Sequence, residues 1–258
     1  MLTDADIKNL GEIGLEKVIS LSCLYKYIGI DDGVKYVLGE NTFKFTDPVE
    51  FNDPFDCNEK MIYLVVSAED EKKYILEIGR EKGLSRKKTR EHFKNIGNRS
   101  LQHKVLKEKK KDFKVSCFSE ISDDVLMWSH YADKHRGICI GFGLDIMCKE
   151  YVLYPVNYID KMQKIDGRVI TGNAFYYWVT FKAERWSYER EVRAVSKTGK
   201  SIINFPQAAV KEVIFGCNVK PTVISSVVKS LKKLRYKNIE VSQMVIDYKT
   251  MLLKKKPL

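Results

Sequence analysis

Short segments rich in β-branched and aromatic residues recur along the chain, and helical segments fall between them at irregular intervals. The clearest strand-like segments are VSCFS, RGICIGFGL, YVLYPVNYI, SYEREVRAV and AVKEVIFG. This composition is typical of strands, and the irregular helices argue against regular βαβ repetition. We therefore predict an α+β fold with a mixed, mostly antiparallel sheet, either one sheet of roughly six to nine strands or two small sheets around a cleft.

Apolar residues at helical spacing place helices between these strands. They predict a helix over about 4–24, one lying between 161 and 185, and one over 222–234, with Pro221 opening the last. In the second of these helices, Lys182 continues the stripe formed by its apolar residues. The segment YVLGENTFKF is predicted to be a hairpin, and MIYLVV a buried strand.

Two stretches hold most of the positive charge of the 258-residue chain. The formal net charge is +11, with fifteen Lys or Arg against eight acids in 69–112 and nine against two in 229–258. The rest of the chain is mildly acidic. We predict a single domain over 1–258, with a basic helical insertion at about 67–112 and a basic C-terminal helix and tail at about 221–258. Either nucleic acid or another acidic partner binds these stretches, or they are solvated surface.

The sequence contains no signal for secretion or for a membrane span. The N-terminus, MLTDADIKNLGEIG, lacks a basic segment followed by an apolar one, and no apolar run approaches about eighteen residues. The six cysteines are scattered singly, which favours reduced thiols over a disulfide framework. We expect a cytoplasmic protein that does not bind membranes.

The loop motif EFNDPFD, residues 50–56, carries the first candidate site residues. Pro54 fixes a turn in which Asn52 and Asp53 can accept backbone N–H groups, while two phenylalanines anchor the loop. On this interpretation, the motif serves only to fix the conformation of the loop. Alternatively, Asn52 or Asp53 points at a polar ligand, as residues of ordered functional loops do.

Polar and aromatic residues also crowd together in CFSE, residues 117–120, and in MWSHYADKHRGIC, residues 127–139. Rings, an imidazole and a guanidinium at this spacing suit stacking on a flat ring and pairing with a phosphate. The alternative is core packing with local ion pairs. The His and Cys positions fit no standard metal-ligand pattern, so no metal site is predicted. The candidate binding residues are Ser119, Glu120, Trp128, His130, Tyr131 and Arg136.

The segment WSYEREVRAV, residues 186–195, is predicted to be a strand with its acids on one face. Period two puts Glu189, Glu191 and Arg193 on that face and Val192 on the packed face. A carboxylate there can orient a sugar hydroxyl or offset a developing oxocarbenium charge. The alternative is cross-strand ion pairing on an exposed face, without a ligand.

Five motifs in this order resemble one bacterial and phage family, domain of unknown function 2971. They are LYKY at 24–27, EFNDPFD, CFSE, MWSHYADKHRGICIGF and WSYEREVR. The resemblance spans about 24–216 and implies no reaction. The lysine-rich insertion is not part of this signature.

A looser resemblance is to ADP-ribosyltransferase-like folds, which split NAD in a cleft between two small antiparallel sheets. In that fold a late strand carries a glutamate, often as ExE, that binds the nicotinamide ribose, and Glu191 with Glu189 matches this element. The fold's early-strand Arg or His is absent, and only Tyr25 and Lys26 stand at a comparable place. Its Ser-Thr-Ser element is also absent, and only Thr46 or Ser119 offers a hydroxyl.

The resulting hypothesis is an enzyme that transfers ADP-ribose from NAD, as a toxin or an antiphage-defence component. Two alternatives stay open: a non-catalytic nucleic-acid-binding module that uses the insertion and tail, and a small-molecule sensor with the same cleft. In the enzyme hypothesis Glu191 stabilises the ribosyl cation, Glu189 steers the acceptor, Lys26 or Arg136 holds the pyrophosphate, and Trp128 or Tyr131 stacks on a ring.

Overall fold

Strands and helices follow each other irregularly in the computed structural model, which describes residues 1–65, 76, 79–80, 83–97, 99–166, 171–196 and 198–258. The strands are β1 Cys23–Ile28, β2 Thr42–Lys44, β3 Leu64–Val65, β4 Lys114–Ser119, β5 Ile138–Gly143, β6 Leu153–Pro155, β7 Asn157–Ile159, β8 Ile165–Asp166, β9 Phe181–Ala183, β10 Glu191–Ser196, β11 Ile202–Asn204, β12 Val210–Phe215, β13 Glu240–Asp247 and β14 Leu252–Pro257. The longer described helices are α1 Asp4–Ile19, α2 Arg86–Gly97, α3 Arg99–Lys109, α4 Val125–Tyr131, α5 Leu144–Glu150, α6 Thr171–Thr180 and α7 Pro221–Lys233. The predicted α+β class is confirmed.

Eight strands form one sheet in the order β14-β13-β12-β5-β1-β4-β10-β6. The pair β12–β13 is parallel and its other pairs are antiparallel, which confirms the mixed, mostly antiparallel sheet. Among the described residues, β2–β11, β3–β8 and β7–β9 form three two-stranded sheets. The alternative of two small sheets around a cleft is therefore wrong for the main strands.

The register of the central strands aligns three predicted site positions. Tyr25 of β1 is opposite Ser119 of β4, and Ser119 is opposite Glu191 of β10. Residues opposite each other in antiparallel strands share one face of the sheet. Because Tyr25–Ser119 is the single register pair between β1 and β4 and Ser119 is the last residue of β4, the two strands diverge over the rest of β4.

Apolar packing holds the helices against the sheet. Ile224 and Leu231 of α7 are buried in a cluster with Phe142 of β5 and Val192 of β10. A second cluster joins Trp178 of α6 to residues of α1 and β4. Each such side chain stabilises the fold by about 1.5–3 kcal/mol relative to an exposed one.

The predicted first and last helices are confirmed with changed bounds. Thr3 caps α1, since its side chain accepts from the Asp6 N–H and Asp6 reciprocates. The helix ends at Ile19, earlier than the predicted 24, because the chain enters β1 at Cys23. Pro221 is the first residue of α7, where its missing N–H costs no hydrogen bond.

The predicted hairpin in YVLGENTFKF is wrong. Residues Gly33–Gly39 form a π-helix, in which the neighbouring Val37 and Leu38 are both buried, and β2 pairs with the distant β11. In the segment MIYLVV, only Leu64–Val65 is a strand among the described residues, and it is half-buried.

A helix lies between 161 and 185 as predicted, but it does not include Lys182. It is observed as α6, Thr171–Thr180, and Lys182 lies on β9, which pairs in parallel with β7. The predicted strand at 186–195 begins only at Glu191, because Glu184–Glu189 is a 3-10 helix. Arg190 joins the two in a left-handed conformation, at φ 41°, which no continuous strand adopts.

The two basic stretches contain regular structure. Helices α2 and α3 lie within the predicted insertion, whose predicted start at 67 is outside the described residues. The terminal lysines lie on β14, where Lys255 Nζ is 3.0 Å from Glu212 Oε2. All six cysteines are free. None of the helices in the described ranges combines the length and apolar character that crossing a membrane requires.

Candidate active site

A cavity of about 360 Å³ lies between the diverging strands β1 and β4. Its volume is in the range of small-molecule sites, about 300–1,000 Å³. Residues of the loop before β3, of α4, β9 and β10 complete its wall. The lining residues are Tyr25, Lys26, Tyr27, Lys44, Thr46, Glu50, Phe51, Asn52, Asp56, Val115, Ser116, Cys117, Phe118, Ser119, Met127, Tyr131, Lys182, Glu189 and Glu191.

Arg193 lies behind this wall, fully buried, and binds two carboxylates. Its Nε and Nη2 donate to Oε1 and Oε2 of Glu191 at 2.8 and 3.0 Å. Its Nη1 and Nη2 donate to Oδ1 and Oδ2 of Asp56 at 2.9 and 2.5 Å. With a further bond of 2.6 Å to the Val179 carbonyl, each of the five guanidinium N–H groups has a partner.

Lys182 connects this arrangement to a second glutamate. The Lys182 ammonium, on a side chain 5% exposed, donates to Oε2 of Glu189 and, at 3.0 Å, to Oε2 of Glu191. It is also 3.6 Å from Asp56 Oδ2. We call Asp56, Lys182, Glu189, Glu191 and Arg193 the charge network. It contains three acids and two bases, and every member is buried.

Local structure fixes the two glutamates of the network. The left-handed Arg190 between them turns the chain, so that both side chains reach Lys182. Ser119 Oγ donates to the Glu189 carbonyl at 2.6 Å, and the Glu191 N–H donates to the Tyr158 hydroxyl at 2.8 Å. Glu189 Oε1 accepts from the Tyr131 hydroxyl at 2.6 Å.

The pKa values of these glutamates shift in opposite directions. Burial favours the protonated form of Glu191, but Arg193 and Lys182 outweigh it and hold the pKa of Glu191 well below its usual range. Burial and the neighbouring Glu191 charge raise the pKa of Glu189, although Lys182 and Tyr131 oppose the shift. Burial opposes the charge on Lys182, yet the surrounding carboxylates raise the pKa of Lys182 and keep it protonated.

Lys26 is a cation in the same cavity with a different environment. Its ammonium donates to Ser116 Oγ and to the Cys117 carbonyl, both at 3.0 Å, and lies 4.9 Å from the centroid of the Phe118 ring. It forms no ion pair with any carboxylate in the described part of the chain. Burial therefore lowers the pKa of Lys26, although Glu191 partly offsets the shift.

Comparison with protein families matches this part of the chain to the family described as "Protein of unknown function (DUF2971)". Residues 127–194 match this family. The match confirms the resemblance predicted from MWSHYADKHRGICIGF and WSYEREVR, which both lie inside it. No curated protein and no solved structure matches the chain significantly.

The DUF2971 segment contains four members of the charge network. It also contains Tyr131, which binds Glu189. Asp56 and Lys26 come from chain outside the matched segment. The cavity is therefore built jointly by the DUF2971 segment and by earlier strands and loops, whereas no described residue of either basic stretch lines it.

Several sequence-predicted residues converge on the cavity. Those that line it are Tyr25, Lys26, Asn52, Ser119, Tyr131, Glu189 and Glu191. Asn52 is exposed and its amide donates to the Tyr131 hydroxyl at 3.4 Å. Arg193 supports the wall from behind through Glu191.

Other predicted residues lie away from the cavity lining. Trp128 is fully buried, and its indole N–H donates to the Ser122 carbonyl at 2.8 Å. Core side chains surround its ring, so the ring cannot stack on a ligand. Arg136 is exposed and pairs with Asp133 at 2.8 Å, while Glu120 pairs with Lys17 of α1 at 2.8 Å.

Asp53 and His130 have local partners outside the lining. Asp53 is buried, and its Oδ1 accepts from the Phe55 N–H at 2.9 Å in the turn predicted around Pro54. His130 Nδ1 is 3.1 Å from the Tyr188 hydroxyl.

Sequence reasoning missed Lys182 and Asp56 as network members. Lys182 was included in the apolar stripe of a predicted helix, and a lysine at a position predicted to be buried is itself a signal of a paired charge. Asp56 is the last residue of the motif EFNDPFD, in which only Asn52 and Asp53 were predicted as site residues. Lys44 and Glu50 also line the cavity, and nothing in their sequence context distinguishes them.

Proposed function

We propose that the protein is an enzyme that cleaves the N-glycosidic bond of NAD and transfers or releases ADP-ribose. The observation that carries this proposal is the pair of glutamates on one cavity wall, bridged by one lysine and shifted in pKa in opposite directions. Two carboxyl groups with separated pKa values provide the two roles that glycosidic cleavage needs, a fixed negative charge and a group that exchanges a proton.

Glu191 supplies the fixed negative charge. Its low pKa keeps it ionised, and hydrogen bonds from Arg193 and Lys182 hold both oxygens. As the bond to nicotinamide breaks, positive charge develops on the ribose, and a preorganised carboxylate nearby stabilises it.

Glu189 supplies the proton exchange. Its raised pKa makes it a better base than an ordinary carboxylate once it is ionised. Tyr131 orients the oxygen Oε1 by its 2.6 Å hydrogen bond. In this role Glu189 accepts the proton of the acceptor hydroxyl or of water.

Lys26 supplies the contact to phosphate. The cations of the charge network are matched by its own carboxylates, but Lys26 has no acidic partner among the described residues. An anion entering the cavity would gain a charge-assisted hydrogen bond with it. The pyrophosphate of NAD satisfies this requirement.

The test is incubation of the full-length protein with NAD, with water, RNA, DNA or protein as acceptor, and measurement of released nicotinamide. We expect release by the wild type and a loss of about 100-fold or more in Glu191→Gln. Glu150→Gln is the matched control, because Glu150 is exposed at the end of α5 and should leave release unchanged. No release from the wild type, or undiminished release from Glu191→Gln, would contradict the proposal.

A second candidate is a sensor that binds the same ligand without turnover. Arg193 and Lys182 already bind both Glu191 oxygens. This suits a carboxylate that holds the cavity wall in place better than one that contacts a ribose hydroxyl directly. A sensor would show a rise in melting temperature with NAD but no product.

A further inference from the structure

The turn 184–190, of sequence ERWSYER, carries rings and arginines that are not members of the charge network. The rings of Trp186 and Tyr188 have centroids 6.1 Å apart and an interplanar angle of 38°. His130 of α4 adds a third ring, 6.1 Å from that of Tyr188. The turn ends at the cavity, because its Glu189 is part of the cavity wall.

Trp186 differs from the other two tryptophans. Trp128 and Trp178 are buried in core clusters, whereas Trp186 is only half-buried and belongs to none of the clusters of the described residues. The Lys182 ammonium lies 5.1 Å from the centroid of its ring. The Trp186 indole N–H makes no hydrogen bond within the described ranges. Core packing therefore does not account for this indole, which keeps a free donor.

Two arginines flank these rings. Arg185 and Arg190 are exposed, and neither forms an ion pair with any described residue. The turn holds one other exposed charge, Glu184. Glu189 is buried and bound to Lys182 and Tyr131. The exposed charges of the turn therefore sum to +1.

From this arrangement we infer that the turn 184–190, with His130, binds a segment of single-stranded nucleic acid. Aromatic rings interleaved with cations are the features that proteins use for this ligand, since bases stack on rings and phosphates pair with arginine. A base stacks on Trp186, and Arg185 and Arg190 contact the flanking phosphates. The inference does not depend on NAD cleavage and differs from binding through the basic insertion or tail.

The experiment measures binding of a fluorescein-labelled single strand of about 12 nucleotides to the full chain, without NAD. Trp186→Leu should weaken binding by about 5- to 100-fold, the effect of losing one stacked base, and Trp186→Phe should restore most of it. Arg185→Gln with Arg190→Gln should reduce the slope of log affinity against log salt by about 0.7 for each arginine. The charge-matched control, Lys87→Gln with Lys88→Gln on the exposed surface of α2, should bind like the wild type.

Three results would overturn the inference. The first is no binding of the strand. The second is wild-type affinity in Trp186→Leu. If the Lys87→Gln/Lys88→Gln variant loses binding at the same time, the basic insertion is the binding site instead. The third is equal affinity for AMP and for the strand, which would mean that a free nucleotide is recognised. Circular dichroism of Trp186→Leu and Trp186→Phe separates a lost contact from a lost fold.

Discussion

Replacement of Arg193 by Met should be among the most destabilising single substitutions in this protein. The guanidinium is 0% exposed and its bonds to Asp56 and Glu191 are 2.5 to 3.0 Å long. Met fills much of the volume but leaves the three buried carboxylates of the charge network to the single ammonium of Lys182. Removing one partner of a buried ion pair typically costs about 3–5 kcal/mol, because the other charge stays buried.

The assay is urea unfolding of the wild type and the variant at one pH. We expect a lower midpoint at an unchanged slope, equivalent to a loss of about 3–5 kcal/mol. Arg136→Met is the matched control, since Arg136 forms a 2.8 Å ion pair with Asp133 on a side chain that is 58% exposed. Exposed pairs contribute little, so this variant should unfold like the wild type.

A double-mutant cycle tests the cause of the loss. In the Arg193→Met background the Asp56 carboxylate has lost its principal partner, so Asp56→Asn should cost much less there than in the wild type. The reasoning is refuted if Arg193→Met is as stable as Arg136→Met. Additive effects of Arg193→Met and Asp56→Asn would also refute it, because they would mean that the two residues do not interact.

Two other substitutions test local geometry. Gly216→Ala should cost about 1–3 kcal/mol by overpacking, measured by thermal unfolding, because its Cβ would lie 2.1 Å from the His135 carbonyl oxygen; Gly29→Ala, which meets nothing within 4 Å, is the control and should leave the melting temperature almost unchanged. Tyr131→Phe removes a hydrogen bond that lowers the pKa of Glu189, so that pKa should rise further and the acid limb of the pH profile of nicotinamide release should move to higher pH; an unmoved limb would exclude Glu189 as the titrating group.

The sequence predicted the parts of the site that lie within one element. Glu191 and Arg193 share a strand face by period two, and this relation survives although the strand begins later than predicted. Glu189 joins them for a different reason, since the left-handed Arg190 and not the strand pleat brings it to Lys182. No pattern of apolar residues encodes that conformation.

The missed members of the network depend on contacts between distant parts of the chain. Asp56 comes from a loop and Lys182 from the short strand β9, and the two charges lie 3.6 Å apart beside Arg193. Local periodicity carries no information on such contacts. The charged part of MWSHYADKHRGIC has a local explanation instead, because Asp133, Lys134 and His135 all have positive φ, from 45° to 66°, and form the tight turn into β5.

The charge network is better explained by its positioning of the Glu191 carboxylate than by a contribution to the stability of the fold. Five buried ionisable groups lose their hydration on folding, and a well-packed apolar cluster of similar volume often gives equal or greater stability. What the ion pairs add is orientation, because Arg193 and Lys182 fix the Glu191 carboxylate at the cavity wall in one ionisation state. The network also leaves one carboxyl, Glu189, with its pKa raised and in contact with Tyr131. The proposed binding and conversion of an anionic ligand therefore rests on a fixed charge beside a titratable group, together with Lys26, which forms no ion pair with a carboxylate of the described residues.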